Sequence, residues 1–182
     1  MPVTPGSAGT LQIQVNESAV LKDVAGNNLV TTSAIADDTT LTVDGAYETW
    51  SGGAAFAGDS NNDGIANGLA WLLGAADPSA AATGLLPELT NDGGKLVLTF
   101  RCLKTANRGA AVLKVQYSND LNQTDLWTSH EAVVPDADDT VNGVVFTTSA
   151  NANPDIINVQ AEIPAAAAAP GTKLFGRLAA TP

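Results

Sequence analysis

Residues 59–78, DSNNDGIANGLAWLLGAADP, combine dense side-chain oxygens, a glycine at a bend and a short apolar helix pattern. Asp59, Asn61 and Asp63 stand at positions one, three and five of a loop, Gly64 at six, Ile65 at seven and Asn67 at nine. This is the spacing of an EF-hand-type calcium loop. A hard cation requires several oxygens at short range, so alternate residues of a tightly wound loop turn inward. Glycine permits the bend, and the carbonyl of residue seven is a further ligand. The expected ligand set is therefore Asp59, Asn61, Asp63, the Ile65 carbonyl and Asn67, with Ca2+ as cofactor. Position twelve, where a bidentate carboxylate closes the sphere, is Ala70. Such a site is weakened, recruits water or borrows an acid, and Asp77 is the nearest in sequence. Asp, Asn and Gly clusters also build metal-free turns, because their side chains bond their own backbone. That alternative stays open.

Downstream, Ile65, Leu69, Leu72 and Leu73 recur at helical spacing. Asn67 is the expected N-cap and Gly74 the expected C-cap, ahead of a stop at Asp77-Pro78. These residues and Trp71 form a plug that docks the loop on a sheet.

The 182-residue chain has room for one large or two small domains. Lys and Arg total 8 against 19 Asp and Glu, a formal charge of −11 with a pI near 4.1. Such a surface repels nucleic acid and anionic membranes and attracts divalent cations. Cys102 is alone, so no intrachain disulfide forms, and its place in the apolar run 96–103 marks it as an inert strand residue. The opening MPVTPGSAGT has neither the basic start nor the apolar core of a secretory signal, and no segment has the length and apolarity of a membrane span. The composition is that of a secreted β protein, and the expectation is an extracellular or surface location for a mature or excised piece.

Residues 10–43 read as paired strands. TLQIQV places Leu11, Ile13 and Val15 on one face and Gln12, Gln14 and Asn16 on the other, Gly26-Asn27 makes a turn, and TTLTV alternates again. Strands this few and short do not bury a two-layer core alone. From residue 94 a succession of strands follows: KLVLTFRCL, AVLKVQYS, a segment at Trp127, NGVVFTTS, DIINVQAEI and KLFGRLAAT. Turns at 91–94, 107–109 and 142–143 separate them at the spacing of an all-β sandwich. PAAAAAP at 164–170 is a crossing loop kept out of a helix by its prolines. The expected fold is all-β, an antiparallel sandwich of immunoglobulin-like or jelly-roll-like type, with one short helix after the EF-hand-like loop. The expected divisions are 1–43, 44–93 and 94–182.

Two resemblances attach to these motifs. Residues 14–44, containing VAGNN, resemble the closing half of immunoglobulin-like repeats in large bacterial surface proteins. From Tyr47 to about residue 180, the segment F.GD.N.DGI.NGL..LLG.DP, then Tyr117-Ser118 with Asp120, Leu121 and Trp127, then Phe175, Arg177 and Leu178, resembles the C-terminal module of secreted proteins of Verrucomicrobia and Planctomycetes. Ala70 stands where that family usually has Glu. The resemblance implies a calcium loop followed by a β-sandwich.

No catalytic constellation is legible. His130 lies in TSHEAVV with no sequence-level partner, so solvation is expected, and Asp136, Asp138 and Asp139 form a solvated turn or a second cation site. Of three function classes, the leading one is a non-catalytic extracellular structural module, a subunit of a surface protein or filament that pairs with copies of itself or with adjacent domains. The alternative is a carbohydrate-binding accessory module, for which Trp50, Trp71 and Trp127 would have to be exposed. An enzyme using Glu88 or Glu131 is the third.

Overall fold

The computed structural model describes residues 9–11, 14–15, 17–28, 35–36, 41–169 and 173–182. The chain forms two compact units, Met1–Gly45 and Ala46–Pro182.

Among its described residues the first unit holds four short strands, β1 (Gly9–Leu11), β2 (Gln14–Val15), β3 (Ile35–Ala36) and β4 (Leu41–Val43). β1 pairs antiparallel with β4, and β2 with β3. The turn expected at Gly26-Asn27 forms: Lys22 bridges Asn28, and the Asp23 carboxylate accepts the Asn27 N–H and its side-chain Nδ2–H, both at 2.8 Å. Gln12, Ile13 and Asn16, on which part of the alternation argument rests, lie outside the described residues.

The second unit begins with two helices, α1 (Ala46–Ser51) and α2 (Asn67–Leu72), where the sequence led us to expect only one. Tyr47 and Trp50 of α1 belong with Phe56 and Trp71 to one aromatic cluster, with ring centroids 4.9–5.8 Å from Tyr47. Six apolar-faced residues suffice for a helix here because packing, not propensity, holds it. Eight strands follow: β5 (Glu88–Asp92), β6 (Lys95–Leu103), β7 (Val112–Ser118), β8 (Glu131–Val133), β9 (Asp139–Val141), β10 (Val144–Ala150), β11 (Ile156–Ile163) and β12 (Phe175–Thr181). They make a five-stranded antiparallel sheet, β5-β6-β11-β10-β9, and a three-stranded one, β12-β7-β8. The fold is thus mostly antiparallel β. β5 lies within residues 44–93, ahead of the division expected at 94.

Period-two alternation explains the core. Leu98 and Phe100 of β6 stand opposite Ala161 and Val159 of β11, and all four are buried. Leu113, Val115, Ala132 and Phe146 join them, so both sheets contribute to a single hydrophobic cluster, at about 1.5–3 kcal/mol per large side chain. Asn142-Gly143 makes the β9–β10 hairpin with φ of 49° and 82°, the left-handed pair that matches strand twist. Two details differ from expectation. Trp127 starts a 3-10 turn, Trp127–Ser129, rather than a strand, and Ala165–Ala168 winds into a 3-10 helix after Pro164. Proline at the first turn of a helix loses no hydrogen bond, which is why it does not prevent this. Among the described residues, no helix is long and apolar enough to cross a membrane.

Candidate functional site

The loop at residues 59–67 is built on its own side-chain oxygens. Asp59 Oδ1 accepts the Asp63 N–H at 3.2 Å and Oδ2 the Gly64 N–H at 2.8 Å. Asn61 Oδ1 accepts the Asp63 N–H at 3.1 Å, while its Nδ2 donates to Asp63 Oδ2 at 3.0 Å and to the Ala80 carbonyl at 2.8 Å. Asp63 Oδ1 accepts the Ile65 N–H at 3.0 Å, and Oδ2 accepts the Ala82 N–H at 2.7 Å. The tight winding thus brings Asp59, Asn61 and Asp63 together and ties them to residues 80–82. Ile65 is buried beside Ala70, Ala75 and Ala82, which anchors the loop from below.

Asn67 has a different place. It is the first residue of α2 rather than its N-cap, which is Ala66 and makes no side-chain cap. The Asn67 side chain, 3% exposed, accepts the Ser60 N–H at 3.1 Å and donates to the Ala55 carbonyl at 2.9 Å, so it closes the loop on itself. At the far end Gly74 has φ 80° and bonds the Trp71 carbonyl, the left-handed stop expected of a C-terminal glycine. Asp77 spends Oδ1 on the N–H and hydroxyl of Ser79.

As donors for a hard cation, Asp59, Asn61 and Asp63 fit in kind: carboxylates accept more than one bond per oxygen, so backbone N–H groups do not exhaust them. The loop supplies two carboxylates, and among the described residues no group of three or more His, Cys, Asp or Glu side chains gathers as a metal site.

The other candidates are engaged elsewhere. His130 is not simply solvated: its Nε2 lies 2.5 Å from Asp125 Oδ1, and its ring stacks on Tyr117 at 4.7 Å. Asp136 accepts the N–H and hydroxyl of Thr105, and Asp138 those of Thr148. Glu131 pairs with Lys114 at 2.6 Å and accepts from Gln116, whereas Glu88 sits on exposed β5. Trp50 donates its N–H to the Ala75 carbonyl at 2.9 Å, Trp71 is buried, and Arg177 lies over the Trp127 ring at 4.7 Å.

These bonds shift carboxyl acidities. The Ala82 N–H holds Asp63 below its ordinary value, the Ser79 hydroxyl does so for Asp77, the Thr124 hydroxyl for Asp120, and Lys114 for Glu131. A carboxyl with a folded value below its unfolded one, about 4, contributes stability that is present above that pH and is lost as pH falls through the folded value. The urea midpoint is therefore expected to hold between pH 7 and 5 and to drop below pH 4. Asp120→Asn should flatten that drop, and an unchanged acid limb in this variant would contradict the assignment.

Cys102 is fully buried, and burial pushes its thiol up to about 11 even though Arg108 Nη2 lies 3.3 Å from the sulfur. Thiolate is scarce at neutral pH. Labelling of the native protein by a maleimide should run at the rate of unfolding, and stoichiometric labelling within seconds would refute this.

Comparison of the chain with protein-family models, with curated proteins and with solved structures returned no match.

Proposed function

We propose that this chain is a non-catalytic extracellular structural module, a subunit of a bacterial surface protein or filament, joined to copies of itself by strand pairing and stabilised by calcium at the 59–67 loop. The observation that carries the reading is the first unit. Among the described residues its ladders join three residue pairs, Gly9 to Leu11 with Val43 to Leu41, and two, Gln14 and Val15 with Ala36 and Ile35. Two-stranded ribbons of that length are marginal in water, and their open edges invite another chain. The second unit supports the same reading. Its two sheets with a shared core favour an antiparallel sandwich of immunoglobulin-like or jelly-roll-like type. Its candidate acids cap turns or pair with lysine rather than converging on a cavity. The carbohydrate-binding alternative has less support, because Trp50 and Trp71 are committed to packing and Trp127 is covered on one face.

At the loop, Asp59, Asn61, Asp63 and the Ile65 carbonyl would hold Ca2+, which neutralises adjacent carboxylates, with water in place of the ligand missing at Ala70. Asn67, whose Oδ1 accepts the Ser60 N–H, positions the loop and keeps a lone pair for the ion. Binding to the folded state alone raises stability by about 2.7 kcal/mol at a hundredfold excess over Kd. The test compares melting in calcium and in chelator, together with light scattering. A higher midpoint in calcium and a mass above one chain are expected. An unchanged midpoint removes calcium from the proposal, and a monomer at all concentrations removes strand pairing.

A further inference from the structure

Leucine is a poor residue for the backbone at position 121. Leu121 has φ 59° and Asn122 follows at 69°, both in the left-handed region. Glycine enters that region freely and asparagine through short polar bonds, whereas a leucine is held there by its surroundings. Those surroundings are dense. The Asp120 carboxylate accepts the N–H groups of Gln123, Thr124 and Asp125, and Ser118 Oγ accepts the Asn122 N–H at 3.0 Å. Asp125 Oδ2 takes the Asn119 N–H at 2.7 Å, and Asn122 Oδ1 takes the Trp127 N–H at 2.8 Å. Yet the side chain that this bonding fixes is 56% exposed, and Leu126 on the same loop is 45% exposed. A strained position that presents an apolar group to water adds little to its own fold, and such strain collects at contact sites. A hole lies beside this knob. Ser118, at the root of the loop, stands opposite Phe175 in the β7–β12 ladder, and Asn119 Nδ2 donates to the Ala169 carbonyl at 2.8 Å. Phe175 and Ala168 line a cleft of about 500 Å³ together with Leu96 and Leu174, and Lys173 is its one charged group. Lys173 makes no ion pair among the described residues.

We infer that two copies of the chain dock here about a two-fold axis, the Leu121 side chain of each seated in the cleft of the other. Three observations select a second copy as the occupant. A two-fold contact uses the same patch on both partners, so it requires a knob and a hole side by side, as Leu121 and the cleft are. The charges match as well. Beside each Leu121 stands Asp120, whose carboxyl the Thr124 hydroxyl holds well below its ordinary value and so ionised, while each cleft carries Lys173 without a counter-charge. On a chain of formal charge −11 such a lysine is a scarce complement. Finally, the loop is already ordered by its own bonds, so docking freezes little more of it. The contact lies wholly in the second unit and is independent of the strand pairing proposed above. A two-fold contact closes on itself, so it pairs chains, and a filament needs strand pairing as its second link.

The test uses the full chain. Leu121→Gly removes the knob at a backbone position that favours glycine, and circular dichroism checks that the fold is kept. By light scattering at equal concentration the parent should exceed the 18.4 kDa chain mass, and Leu121→Gly should fall to half the parent's mass. In a mixture of Leu121→Cys and Asn91→Cys chains, each mixed pair keeps one native Leu121 in a cleft. A short bismaleimide should there link one chain to the other, with buried Cys102 silent. A mass that Leu121→Gly leaves unchanged overturns this contact and leaves strand pairing standing. A lower mass without the crosslink overturns the cleft as the acceptor. A parent that is monomeric at every concentration overturns the contact outright. Should Leu121→Gly fail to fold, the mixed crosslink decides, and its absence overturns the docking.

Discussion

Replacing Arg108 by alanine is expected to lower the unfolding free energy of the second unit by about 3–5 kcal/mol. The residue is 3% exposed and its guanidinium works as a fork. Nε donates to the Leu103 carbonyl at 2.6 Å and Nη1 to the Val134 carbonyl at 3.1 Å, with Asp136 Oδ1 3.8 Å from Nη2 as the nearest counter-charge. Leu103 ends β6 of the five-stranded sheet, and Val134 follows β8 of the three-stranded one, so a single side chain ties the two layers together. Alanine leaves two carbonyls without donors, each worth about 1–3 kcal/mol, and a cavity besides. Lysine keeps the charge but cannot reproduce the planar fork, and methionine keeps volume without any donor. Urea midpoints should fall in the order Arg, Lys, Met, Ala. A loss below about 1 kcal/mol for Arg108→Ala would show that the bonds are dispensable.

Trp71→Ala should cost about 3–5 kcal/mol through the void it leaves. Trp71 is 5% exposed and lies in the main core, with its ring edge-on to Tyr47 at 5.3 Å. It sits on the helix that leaves the 59–67 loop, one turn after Gly68, where an added Cβ would clash with the Phe56 ring, so that face of the helix is tightly packed. Loss of the indole therefore loosens the loop as well as the core. Two readouts check this, the global melting midpoint and the rate of limited proteolysis within residues 59–66. Both should change, and Trp71→Phe should restore most of each. A large drop in midpoint with unchanged cleavage of the loop would mean that Trp71 does not hold it.

The β character of the second unit was legible because its strands alternate. KLVLTFRCL buries Leu98, Phe100 and Cys102 and INVQAEI buries Ile157, Val159, Ala161 and Ile163 at alternate positions, and the Asn142-Gly143 turn lies where a hairpin needs left-handed backbone. The loop was legible for a related reason: Asp59, Asn61 and Asp63 bond amides only two to five residues away, so local spacing already contains their geometry. α1 was not legible, because six residues among glycines carry no helical period and are held by contacts to Phe56 and Trp71.

What the amino-acid sequence by itself determined is the part that depends on near neighbours: strand period, turn chemistry, the oxygen-rich loop, and the burial of Cys102 in an apolar run. Tertiary structure decided the rest. Asp63 is bound by Ala82 and Asn61 by Ala80, each nineteen residues on, Asn67 binds Ala55 and Ser60, and His130 finds Asp125 and Tyr117. Arg108, in a stretch that reads as an ordinary turn, becomes a buried link between sheets. A buried donor takes whichever acceptor the packing places within reach, because an unmet polar group costs about 1–3 kcal/mol, and which chain segment passes there is set by the register of distant strands rather than by local spacing.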